Sequence, residues 1–138
     1  MLSGKLGAAI VSLLILAAAI FAGPSAAETT PEPVNVGFVL YNKTATPGTL
    51  LARWNYGNRY SGPGLATGGP VDGFPGHYHV RYFLENGEFS DEYDLVIAKS
   101  GDFYDVSWIV GGVVLAKGVG MLVEGGNGLA VGWRRVDR

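Results

Sequence analysis

The sequence predicts an all-β protein: an eight-stranded antiparallel up-and-down barrel made of two four-strand repeats. Three observations predict it. Apolar and polar residues alternate with a period of two, the period of a strand that turns one face inward. Each alternating run is bounded by Gly, Pro, Asn or Asp, the residues that let a chain turn. The stretch GTLLARWNYGNRYSGPGLATGG (Gly48–Gly69) is echoed by GDFYDVSWIVGGVVLAKGVGMLVEGG (Gly101–Gly126). Each copy runs through Gly, a short alternating strand, Trp, a glycine turn, a second strand with Gly-x-Gly, and a closing Gly-Gly. Self-similarity of this kind marks repeated architecture.

The elements follow in chain order. VNVGFVLYN (Val34–Asn42) is the first strand. The second runs from Gly48 to a turn at Gly57, and the third carries Gly62-Pro63-Gly64. ATGGPVDGFPG (Ala66–Gly76) reads as a long loop, a linker or an extended binding loop. In the fourth strand Tyr78, Val80 and Tyr82 alternate with His77, His79 and Arg81, so each set lines one face. Asn86-Gly87 marks a hairpin turn. EYDLVIAKS (Glu92–Ser100) is the fifth strand. In the sixth, Tyr104, Val106 and Trp108 alternate with Phe103, Asp105 and Ser107. The seventh carries Gly118-Val119-Gly120. In the eighth, Leu129, Val131 and Trp133 alternate with Ala130, Gly132 and Arg134. A sandwich and a closed barrel both accommodate eight such strands. Closure is preferred, because it removes edges that a disulfide-free sheet must otherwise protect. The glycines inside the third and seventh strands suit the bulges and coiling a small barrel needs.

The chain has 138 residues and no cysteine, so disulfides, thiolate metal sites and lipid-modified cysteines are excluded. The segment 1–27 has the layout of a secretory signal peptide. Lys5 precedes the apolar run LGAAIVSLLILAAAIFAG, and Ser25 and Ala27 fit a cleavage after Ala27. Residues 28–138 then form one domain in a bacterial periplasm or outside the cell, with no stable membrane insertion after cleavage. With 10 basic and 12 acidic residues and no basic stripe, nucleic acid is not an expected partner. An outer-membrane barrel would need an apolar outward band, whereas Arg53, Arg81 and Asp105 alternate against the aromatics as on a wet face.

DFYDVSW (Asp102–Trp108), GVG (Gly118–Gly120) and LAVGW (Leu129–Trp133) resemble a G-x-Y-x-V-x-W, GVG, LAVGW pattern of small secreted bacterial proteins, some labelled fibronectin-binding. That resemblance brings no catalytic residues. The eight-stranded meander with inward aromatics also resembles the calycin barrels, namely lipocalins, fatty-acid carriers and avidin. The lipocalin Gly-x-Trp on the first strand is missing, so this likeness is architectural, and architecture alone does not imply function.

No catalytic constellation stands out, and no enzyme is expected. No serine lies in a Gly-x-Ser-x-Gly elbow. His77 and His79 share a strand face and could hold a metal with Asp72, but two histidines without a third fixed ligand are common on solvent faces. The acidic run Glu85–Asp94 lacks the spacing of a calcium loop. Asn42-Lys43-Thr44 is a formal sequon that reads as a turn. No metal and no cofactor are expected. The aromatic residues carry the binding expectation: Trp54, Tyr78, Tyr82, Tyr104, Trp108 and Trp133, with Tyr93, fall on alternating strand positions. They either fill the barrel or line a pocket. Two functions follow: a binding protein holding a small hydrophobic or aromatic molecule, or a protein-interaction module (an adhesin or an enzyme inhibitor) with a packed barrel and an external surface.

Overall fold

A computed structural model describes residues 32–137. The expected signal peptide, residues 1–27, lies outside them. The described residues contain no helix and form eight strands: β1 (Gly37–Lys43), β2 (Leu50–Tyr56), β3 (Tyr60–Thr67), β4 (Gly76–Phe83), β5 (Phe89–Ser100), β6 (Phe103–Val110), β7 (Val113–Leu122) and β8 (Gly128–Arg135). Each strand pairs antiparallel with its sequence neighbour, and β1 pairs with β8, so the sheet closes into an up-and-down barrel.

Alternation sets the inside. Val39 and Tyr41 of β1, Tyr78, Val80 and Tyr82 of β4, Leu95 and Ile97 of β5, Tyr104, Val106 and Trp108 of β6, and Leu129 and Val131 of β8 are all buried. Their strand neighbours face outward. Two strands differ in kind. The inward positions of β3 are Gly62, Gly64 and Ala66, and those of β7 are Ala116, Gly118 and Gly120; all are buried. The small residues make room for large ones on the adjoining strands. A Cβ on Gly64 would stand 2.7 Å from Cδ1 of Tyr82, and one on Gly118 would stand 2.8 Å from Cγ1 of Val131. A packed interior has no slack for such an atom.

The irregularities of the sheet fall elsewhere than at these glycines. The register slips between Tyr82 and Phe83 against β5, leaving Ser90 extra, and between Trp108 and Ile109 against β7, leaving Leu115 extra. Both are bulges beside an inward aromatic ring, where the added twist re-aims the chain. The β4–β5 turn is also displaced by one residue from the expected Asn86-Gly87 pair. Gly87 N–H donates to Leu84 O and Leu84 N–H to Glu88 O, so Glu85 and Asn86 occupy the turn centre. Gly87, with φ +90°, supplies the left-handed residue that follows.

Two turns at the same end of the barrel share a left-handed glycine. Gly57 in the β2–β3 turn and Gly111 in the β6–β7 turn have φ of 64° and 58°. The barrel has two ends. The β1–β2, β3–β4, β5–β6 and β7–β8 connections share one end, and the short β2–β3, β4–β5 and β6–β7 turns share the other with the segment preceding β1 and the end of β8.

Candidate functional site: an aromatic cavity at the turn end

The two halves of the interior are built differently. At the connection end the expected loop shrinks to residues 68–75, since Ala66 and Thr67 belong to β3 and Gly76 to β4. It is a plug. Phe74 is 2 % exposed and part of the hydrophobic core, its carbonyl accepts from Tyr78 Oη at 2.8 Å, and Lys43 Nζ caps its ring. The loop is tied down where Gly69 N–H donates to Gly48 O at 3.0 Å. Tyr78 and Tyr104 sit early in β4 and β6, which start at this end, and both are buried.

The turn end holds a cavity of about 380 Å³. Of the expected binding aromatics it brings together Trp54, Tyr82, Tyr93, Trp108 and Trp133; Tyr78 and Tyr104 do not line it. Tyr56 and Tyr60 join the five. The rings form two linked series. Tyr56 stacks on Trp133 with centroids 5.0 Å apart and planes at 20°, and Trp133 meets Trp108 at 5.9 Å. Tyr82 meets Trp54 edge-on at 6.1 Å and Tyr93 at 6.1 Å. The series join where Trp108 Nε1–H donates to Tyr82 Oη at 2.7 Å. Tyr82 Oη is bonded in turn to Tyr41 Oη.

Backbone gaps position these side chains. The β3–β4 ladder covers only Gly64–Thr67 against His79–Tyr82. Beyond it stands Pro63, which has no N–H to offer. Trp54 Nε1–H fills the gap by donating to the carbonyls of both Pro63 and Phe83, each at 3.1 Å. On the outer face Arg53 and Ser61 both bond to Glu85 across the same seam. Asn35 ties the segment before β1 to β8, donating to Arg135 O and accepting from Arg135 N–H, and it also accepts from Tyr56 Oη at 3.1 Å.

The rim is polar but internally paired. Tyr93 Oη donates to Asp91, and the guanidinium of Arg135 donates to both carboxylate oxygens of Asp137 at 3.0 and 2.7 Å. Burial, then the Asp91 bond, pushes the Tyr93 phenol well above its ordinary range. Burial does the same to Tyr41 and Tyr82. These phenols are neutral donors and acceptors at any ordinary pH. The cavity can thus hold a flat, weakly polar molecule against rings.

The other candidate groups lie outside. His77 and His79 face solvent from β4, and His79 is engaged by Glu92 and lies 3.7 Å from Asp94. Of the acidic run, Glu85, Asp91 and Glu92 are each bonded to a side-chain partner. Among the described residues no group of three or more His, Cys, Asp or Glu is placed to hold a metal ion.

Tyr56, Tyr93 and Arg135 were legible as simple continuations of inward alternation, from Ala52-Trp54, toward Leu95-Ile97 and from Val131-Trp133. Asp91 continues the Tyr93-Leu95-Ile97 alternation, whereas Ser90 reaches the cavity through a bulge, which leaves no periodic signal. Counting residues from each turn would have separated Tyr78 and Tyr104 from the rest. With this architecture established, comparison of the chain with protein families, curated proteins and solved structures found no match.

Proposed function

We propose that the chain is a non-enzymatic binding protein that holds a small hydrophobic or aromatic molecule in the turn-end cavity. One observation carries this reading: an otherwise filled barrel keeps a cavity of about 380 Å³ walled by all three tryptophans of the chain. That volume is within the range of roughly 300–1,000 Å³ typical of ligand pockets. The paired rim charges leave apolar ring surface as the main recognition element, which favours a flat ligand. The leader-like pattern of residues 1–27 supports a secreted or periplasmic setting, and the outward His77, His79, Arg81, Glu92 and Asp94 of β4 and β5 suit water rather than a lipid-facing wall. Native mass spectrometry of protein purified without denaturant tests the reading. The expected result is an added mass of small-molecule size, released on unfolding. A bare chain whose tryptophan fluorescence also ignores a panel of lipids, pigments and aromatic metabolites would contradict it.

A second reading, a protein-interaction module, draws on a different surface. Phe38, Val119 and Met121 are outward and more than half exposed, and Phe38 and Val119 both pair with Gly132 across β8. In that reading, replacing the three by serine abolishes partner capture by an intact barrel. Retained capture would set this surface aside.

A further inference from the structure

We propose that the ligand of the cavity is a neutral flat molecule with a hydrogen-bond acceptor, an oxygen or a ring nitrogen, that takes the phenolic hydrogen of Tyr82 at the cavity floor. The inference rests on the reading of the cavity as a small-molecule site. Its ground is a count of hydrogens. Trp108 Nε1, Tyr82 Oη and Tyr41 Oη form one bonded cluster, with Trp108 also within reach of Tyr41, and carry one polar hydrogen each. Trp108 uses its hydrogen on Tyr82, and the two phenols share one bond between them. One phenolic hydrogen is therefore left over, and among the described residues neither phenol has a further hydrogen-bond partner outside this set.

Burial decides which phenol keeps it. Tyr41 is 0 % exposed and does not line the cavity, whereas Tyr82 does. If Tyr82 donated to Tyr41, the spare hydrogen would be stranded in the packed core at the full desolvation cost of an unmade bond. With Tyr41 donating to Tyr82, the spare hydrogen belongs to Tyr82 and can turn to the cavity. Tyr82 then accepts from both Trp108 and Tyr41, so its lone pairs are occupied and the floor offers a donor only. A pure hydrocarbon would leave that donor dry and unpaired. An anion finds no free cation there, because Arg135 is held by Asp137, and the Asp91 carboxylate close by opposes negative charge at Tyr82.

The test uses 1,4-naphthoquinone and naphthalene, two flat probes of like size that differ in carbonyl acceptors. Each is titrated into the wild-type chain and into Tyr82→Phe and Tyr41→Phe. The quinone-to-hydrocarbon affinity ratio should fall about tenfold in Tyr82→Phe, the scale of one buried hydrogen bond. It should persist in Tyr41→Phe, which keeps the Tyr82 hydrogen. The carbonyl infrared band of the bound quinone should shift to lower frequency in wild type. An unshifted band overturns the proposal even where Tyr82→Phe fails to fold. An unchanged ratio in Tyr82→Phe, or an equal loss in Tyr41→Phe, overturns the donor assignment and leaves the cavity reading standing. Failure of both probes to bind overturns the two together.

Discussion

Trp54 shows how one side chain serves fold and site at once. Its ring lines the cavity while its single polar hydrogen bridges two carbonyls that the β3–β4 ladder leaves open. Trp54→Phe keeps an aromatic wall and removes the bridge. It should lower stability by about 1 kcal/mol, the net worth of a part-buried hydrogen bond, as read from urea unfolding; an unchanged midpoint would show that water satisfies the gap. The buried phenols make a second prediction. Tyr41 and Tyr82 are held above the ordinary value of 10.0, and Tyr78 is pushed up to about 12, chiefly by burial. Between pH 10 and these raised values the unfolded chain has lost protons that the folded chain keeps. Stability is thus fully present below pH 10 and falls as pH rises, by about 1.4 kcal/mol per pH unit for each phenol. Absorbance at the phenolate band should rise together with loss of the β-sheet circular dichroism signal. Phenols that all ionise near pH 10 in an intact barrel would contradict the burial.

At the scale of elements, β3 and β7 are glycine-bearing strands, and their glycines are set by what stands opposite them. Gly64→Ala drives a methyl into the ring of Tyr82 and should cost roughly 1–3 kcal/mol. Gly132 on β8 faces outward with no atom within 4 Å of a built Cβ, so Gly132→Ala should be neutral or slightly stabilising. Paired thermal melts check both, and equal effects would remove the distinction between inward and outward glycines. Inward and outward faces were legible because alternation is a local consequence of the pleat: the Tyr78-Val80-Tyr82 and Tyr104-Val106-Trp108 triplets are buried as the pattern requires. The two bulges were not legible. They place Ser90 and Leu115 through the register of a neighbouring strand, which no periodicity within one strand encodes. The glycines of β3 and β7 lie inside strands as expected, but the bulges lie elsewhere, and Gly64 and Gly118 mark close approach.

For the whole molecule, the barrel followed from eight alternating segments with turn residues between them, and closure followed from the problem of edges. What the sequence left open was whether the aromatic interior is filled or hollow. The structure divides it. Phe74, in a Gly- and Pro-rich stretch that reads as a linker or an extended binding loop, folds back as a core residue and fills one end. That packing depends on the loop's path, not on any pattern around Phe74. The opposite end keeps its space between Trp54, Trp108 and Trp133. The central claim is that this space admits a ligand. The most direct measurement is a titration of the isotopically labelled chain with 1,4-naphthoquinone or naphthalene, followed through the three indole N–H signals and the backbone amides. Saturable shifts of the Trp54, Trp108 and Trp133 signals, with Tyr78, Tyr104 and Leu129 unmoved, are the predicted result. Indole signals that stay in place, or shifts centred on the connection end, would contradict it.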